Sequence, residues 1–247
     1  MKHCELWRPS RFVNTRKGLR ASRDPREVIR GSRFITDILA QSYERIIRLH
    51  AKGRLLDMGC GKVPLYGVYR DLVEETICID WSGTLHPSVH LDYETDLSGP
   101  LPFDNESFDT ILLTDVLEHL PEPRATIAEA ARILRRNGEL IIGVPFFCWI
   151  HEAPHDYHRY TEFAIRRMCH LSGLRIVHCE AYGGLPEAIC DLAAKAGMYL
   201  PWLPRVMFLH LHAVAASLTH TSFAKLVSQK TKCTFPLGYL AVAQKLT

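Results

Sequence analysis

The sequence predicts an open, doubly wound α/β sheet, and three observations carry that expectation. Short apolar runs bounded by charged or turn residues recur through the middle of the chain, stretches of helical period lie between them, and a turn bearing two glycines follows the first run.

Ahead of the sheet, residues 1–34 read as a basic arm, since residues 1–35 hold ten Lys/Arg against three Asp/Glu and the rest of the chain 20 against 24. Aromatic residues at stacking spacing are missing from it, which disfavours a nucleic-acid partner. The arm is expected to be a solvated, partly disordered lead-in, with anionic lipid as the surface it would otherwise suit. Residues 35–247 are then one domain, because 247 residues of 47% hydrophobic composition fill one full-sized core and would crowd two.

Ile35, Ile38, Leu39, Tyr43 and Ile46 recur at helical spacing and predict a helix ending near Gly53. Arg54 to Met58 and Thr76 to Asp80 follow as the first two buried parallel strands, and Thr110 to Leu113 and Glu139 to Val144 as the fourth and fifth. Between the last two, Ile127, Ala130, Ala131 and Leu134 mark a crossover helix, with Arg132, Arg135 and Arg136 at its negative end and Gly138 beyond. Thr161 is placed to cap a further helix that stops at Gly173, Leu174 to Glu180 is a sixth strand, and Gly238 to Gln244 a seventh.

The eight cysteines form no C-x-x-C pair and mostly sit in apolar runs, as free thiols do in a reducing compartment. The opening MKHCELWRPSRF has no apolar stretch of signal-peptide type, so a cytoplasmic location is expected.

In a doubly wound sheet, ligands lie beyond the carboxyl ends of the strands. The turn after the first strand reads Asp57-Met-Gly59-Cys60-Gly61-Lys-Val-Pro64, where the glycines let the backbone approach a ligand. Pro64 stands where a dinucleotide fingerprint needs its third glycine, which disfavours a nicotinamide cofactor. Asp80, at the end of the second strand and followed by Trp81, is placed to accept hydrogen bonds from a ribose.

Taken with Asp96-Leu97, Leu101 to Asp109, Thr114-Asp115-Val-Leu-Glu118-His119 and Glu129-x-x-Arg132-x-Leu134-x-x-x-Gly138, this turn resembles the class I S-adenosylmethionine-dependent methyltransferases of the type 11 subgroup. The resemblance covers roughly residues 35–180 and the last strand. It implies a Rossmann-like, seven-stranded sheet whose last strand is antiparallel, with S-adenosylmethionine as cofactor. It places Asp57 near the methionine amino group, Gly59, Cys60 and Gly61 beneath the methionine and ribose, and Asp80 and Trp81 at the ribose. Asp96 and Leu97 would flank the adenine, with Thr114 and Asp115 lining the cofactor.

The segment Trp149-Ile-His151-Glu152-Ala-Pro-His155-Asp156-Tyr157-His158-Arg159-Tyr160 falls over the strand ends and is the acceptor-site candidate. It resembles a HEAPHDYxRYT-like loop of a branch associated with surface-polysaccharide and glycolipid pathways, which implies a small-molecule or lipid-linked saccharide acceptor. A hydroxyl acceptor needs its proton removed, so His151 or His155 is the expected base, oriented by Asp156 or Glu152. Trp149, Tyr157, Arg159 and Tyr160 would shape the acceptor pocket; an Asp156–Arg159 ion pair that merely pins the loop is the competing use. No metal is expected, because the loop's spacing matches no closed tetrahedral signature.

Residues 183–236 read as a hydrophobic helical insertion before the last strand, with 198–217 its most apolar part. Arg205, His210, His212 and two prolines argue against a membrane span. A lid, a subunit contact and a peripheral membrane patch remain open for it. O-methylation of a sugar, glycolipid or other small molecule is the expected function; methylation at nitrogen or carbon, and a catalytically silent cofactor-binding scaffold, are the alternatives.

Overall fold

The computed structural model describes residues 1–199, 219 and 221–246. Most of the stretch 198–217 therefore lies outside the described residues. Among them no helix is long and apolar enough to cross a membrane.

The segment expected to be a solvated lead-in is instead folded. Strands β1 (Phe12–Thr15) and β2 (Gly18–Ala21) make an antiparallel hairpin. It packs on helix α1 (Arg33–His50) through Phe12, Leu19 and Ala21, all at least 98% buried. The surplus of positive charge hides this, because each short strand offers only one or two apolar positions. Part of that charge is answered on site, by Arg23–Asp37 and Arg26–Asp24 contacts of 2.9 and 2.7 Å.

The main sheet consists of β3 (Arg54–Met58), β4 (Glu75–Asp80), β5 (Tyr93–Glu94), β6 (Phe108–Thr114), β7 (Leu134–Pro145), β8 (Leu174–Tyr182) and β9 (Gly238–Lys245). Their order is β5-β4-β3-β6-β7-β9-β8. The first five run parallel, whereas β9 is antiparallel to both β7 and β8, as expected for the last strand. Helices α2 (Tyr66–Tyr69), α3 (Pro123–Ile133), α4 (Glu162–Leu171), α5 (Leu185–Met198) and α6 (Ser222–Thr231) are the remaining α-helices among the described residues.

Successive strand residues feed opposite faces, and both faces are covered. Leu56, Ile79, Ile111, Leu113 and Ile142 pack with Ile127, Ala130 and Ile165 of α3 and α4, while Leu55, Cys78, Leu112 and Ile141 pack with Tyr43 and Ile46 of α1. Thr161 caps α4 by accepting from the Ala164 amide, and Gly173 closes it at φ 76°. The largest boundary difference from expectation is at the start of β7. Leu134 continues the helical register of α3, but it pairs with Phe108 across the sheet, so Leu134, Arg135 and Arg136 begin β7.

The chain leaves β3 toward one edge through β4 and β5, then returns to build the other side from β6. The crevice between the carboxyl ends of β3 and β6 is the switch point at which such sheets bind ligands.

Candidate active site

A cavity of about 420 Å³ opens at this switch point. Asp57, Gly59, Cys60 and Gly61 from the turn after β3 line it, as do Thr114 and Asp115 at the end of β6 and Trp149, His151 and Glu152 from the loop after β7.

The turn has the shape a close ligand requires. Gly59 sits at φ 71° with Val116 so near that a Cβ would collide with it, and the Gly59 and Cys60 amides donate to the Ile79 carbonyl. The amides of Gly61 and Trp81 each donate to Asp80 at 2.8 Å, so the Asp80 carboxylate ties the turn to the end of β4. Burial raises the Asp80 pKa, against the pull of those two hydrogen bonds. Asp57 is 4% exposed and accepts from the Tyr69 hydroxyl at 2.9 Å. Burial pushes its pKa up to about 7, Asp80 adding to the effect and Tyr69 opposing it.

The expected residues divide into two groups. Asp57, Gly59, Cys60, Gly61, Thr114, Asp115, Trp149 and His151 line the cavity. Asp80 touches the turn from behind it. Trp81 lies outside the lining, its ring edge-on to His155 at 5.2 Å. Asp96 is exposed and caps the Ser98 amide, while Leu97 belongs to the core. His155 and Tyr157 are exposed neighbours whose side chains meet at 3.2 Å. Asp156 and Arg159 form a bidentate pair at 2.6 and 2.8 Å. Arg159 also donates to the Cys148 and Trp149 carbonyls, and Asp156 accepts from the His151 amide, so the pair clasps the loop. The Arg159 hydrogen bonds hold the Asp156 pKa down at about 2. Tyr160 is buried and donates to the Leu117 carbonyl at 2.7 Å.

Several lining residues were not foreseen. Arg11, at the foot of the hairpin, donates to Asp115 at 2.7 Å, and Tyr43 of α1 donates to its other oxygen at 3.0 Å. His86 reaches Glu152 at 3.4 Å across the mouth of the turn. Glu118 and His119, in a single 3-10 turn after β6, face His151. Burial raises the Glu118 pKa well above the carboxylate range, with the Asp115 charge adding to it. Burial also lowers the His151 pKa, with His119 pushing the same way. Asp115 and Glu152 hold left-handed backbone at φ 55° and 54°. Such strain concentrates where a chain must present groups to a ligand.

These features fit S-adenosylmethionine. A crevice of several hundred cubic ångströms, a glycine turn without side chains and a buried carboxylate suit a nucleoside joined to a cationic amino acid.

Known proteins agree. The pattern of the methyltransferase domain matches residues 56–142. A ubiquinone biosynthesis O-methyltransferase from Xanthomonas oryzae pv. oryzae is 30% identical over an alignment of 181 positions that covers 63% of this chain and 70% of that protein. One of the same description from Hahella chejuensis is 29% identical over 125 residues, half of each chain. Among solved structures, a SAM-dependent methyltransferase from Archaeoglobus fulgidus superposes with a TM-score of 0.51 at 13% identity, covering 83% of this chain and 94% of that one. The [4+2]-cyclase SpnF superposes with a TM-score of 0.53 at 19% identity, covering 84% and 83%. With its sheet order, its turn after β3 and these relatives, the chain belongs to the class I S-adenosylmethionine-dependent methyltransferases, in the type 11 subgroup.

Proposed function

We propose that this methyltransferase acts on oxygen, methylating a hydroxyl of a sugar, glycolipid or other small-molecule acceptor. The observation that carries the reading is a cluster of proton-handling groups, Glu118, His119 and His151, lining the same cavity as the cofactor turn. The O-methyltransferases among the relatives support oxygen as the atom attacked.

Bound S-adenosylmethionine supplies a methyl already activated by its positive sulfur, so the chain's task is to align the acceptor and draw off its proton. Asp57, Gly59 and Gly61 would hold the donor on one side of the cavity. Trp149 and the imidazoles would receive the acceptor on the other. The cluster, or water, would take up the hydroxyl proton as the methyl passes to the acceptor oxygen and the sulfur keeps the electrons of the bond it loses. The Asp156–Arg159 clasp keeps His151 in place. Lipid-linked acceptors would suit contact with a membrane surface.

The test compares His151→Ala with His155→Ala on a panel of hydroxylated saccharides, glycolipids and phenols. His151→Ala should lower turnover by roughly two to four decades while S-adenosylhomocysteine affinity stays within about a factor of three. His155→Ala should change turnover by less than about tenfold, because its ring lies outside the cavity lining. Methyl found on nitrogen or carbon in the product, or equal losses in both variants, would refute the assignment.

A further inference from the structure

We infer that Glu118, His119 and His151 form a binding site for one divalent transition-metal cation on the acceptor side of the cavity. Each offers a ligand atom, and the three atoms lie within 4.8 Å of one another. The two rings are oriented for it. His119 Nδ1 faces the His155 carbonyl oxygen at 2.6 Å, which makes that nitrogen the protonated one and turns Nε2, with its lone pair, toward Glu118 Oε1 at 3.8 Å. His151 Nδ1 faces the Trp149 carbonyl at 3.3 Å and Asp156 at 3.5 Å, which leaves Nε2 of that ring as its available nitrogen. A carbonyl behind each imidazole, with the Asp156 carboxylate added behind His151, is the outer support that metal-bound histidines use.

Glu118 supplies the independent observation. It is 1% exposed, and among the described residues its Oε2 has no hydrogen-bond partner although it is buried. An unanswered buried carboxyl oxygen is costly and calls for a cation or a hydrogen-bond partner. Glu152, whose Oε2 lies 4.0 Å from His119 Nε2, is near enough to join as a further oxygen ligand.

The donor set decides the class of cation. Two imidazoles and one carboxylate favour zinc and its first-row neighbours over magnesium or calcium, which prefer all-oxygen sites. Bonds of about 2.0–2.1 Å in a tetrahedron put ligand atoms about 3.4 Å apart, so the site must close by roughly an ångström on binding. His119 and His151 are in edge-on contact, their centroids 4.9 Å apart, and small ring rotations suffice. Three protein ligands leave a position for an oxygen of water or of the acceptor. A hydroxyl bound there would lose its proton more readily. That last use rests on the O-methylation reading above; the metal site itself does not.

The experiment uses tag-free, chelator-stripped full-length protein. Titration with cobalt(II) should give one equivalent of visible d–d absorption without the near-ultraviolet band of thiolate ligation, and zinc(II) should displace it, whereas magnesium should not. His119→Ala and His151→Ala should each weaken cobalt binding by on the order of 100-fold or more, since loss of an outer-shell partner alone costs about 10- to 100-fold. Glu118→Gln keeps the buried shape and should also weaken it by at least about tenfold. Circular dichroism and S-adenosylhomocysteine affinity report whether each variant is folded. No stoichiometric cobalt binding by the wild type, thiolate-type spectra, or undiminished binding by folded His119→Ala and His151→Ala would overturn the site. Methyl transfer that survives exhaustive chelation would leave the enzyme reading standing and overturn the cation's part in it.

Discussion

Asp57 keeps its proton to a higher pH than an exposed aspartate would. Its folded pKa of about 7 lies above the usual 3.8, because burial penalises the charge. Between those values the folded state binds more protons than the unfolded one, so this group's contribution to stability falls as pH rises from about 4 to about 7. The full shift corresponds to on the order of 4 kcal/mol. Asp57→Asn removes the ionisation and keeps the shape. From pH 5 to pH 8 the wild type should therefore lose about 2 kcal/mol or more relative to Asp57→Asn, read from urea denaturation at both pH values. A parallel pH dependence in the two proteins would show that Asp57 is ionised throughout. The price of that strain has a use in the family's reading of the site, where a cationic amino group beside Asp57 would relieve it on binding.

Other residues of the site show the limit of reading along the chain. The glycine turn and Asp57 were legible because their chemistry is local. Glu118 and His119 were visible as a pair, yet nothing in their own neighbourhood says that His151 will meet them; only the parallel pairing of β6 with β7 brings the two strand ends together. Asp115 was read as a cofactor contact, and its two hydrogen bonds from Arg11 and Tyr43 come from the hairpin and from α1, far away in sequence.

At the scale of elements, strong periodic segments were legible and weak ones were not. The run at β3 and the Thr161 cap agree with the residues that predict them, since each is specified by its own side chains. The hairpin β1–β2 is specified by what it leans on. Phe12 is 2% exposed and meets Tyr43 edge-on at 6.1 Å, so it is part of the core and no passenger on a disordered arm. Phe12→Ala should cost about 3–5 kcal/mol of stability, the range for deleting a buried aromatic ring. A denaturation midpoint that moves by less than the equivalent of about 1 kcal/mol would return the hairpin to the status of a surface decoration.

For the whole molecule, the last strand is the keystone. Among the described strands β8 is paired only with β9, and β9 fills the gap between β7 and β8 with residues from Gly238 to Ala243 all buried. A chain ending at Leu237 would expose the flank of β7 and leave β8 without a partner. It should be insoluble or show no cooperative thermal transition, checked by calorimetry beside the full-length protein. A soluble, cooperatively folding truncation would mean that the parallel half of the sheet stands alone.

One connection also governs how a guest reaches the cavity. The Glu118 carbonyl accepts from the Tyr157 and His158 amides, and the Tyr160 hydroxyl reaches the Leu117 carbonyl, so the loop after β7 is bolted to the turn after β6. That wall is a fixed jaw. If the cavity must gape, the yielding side is the part of its lining drawn from residues 27–36, where Gly31 lies against Met198 of α5. The catalytic groups would then sit on the anvil and the segment before α1 on the hinge, so that admission and chemistry are assigned to different parts of the chain.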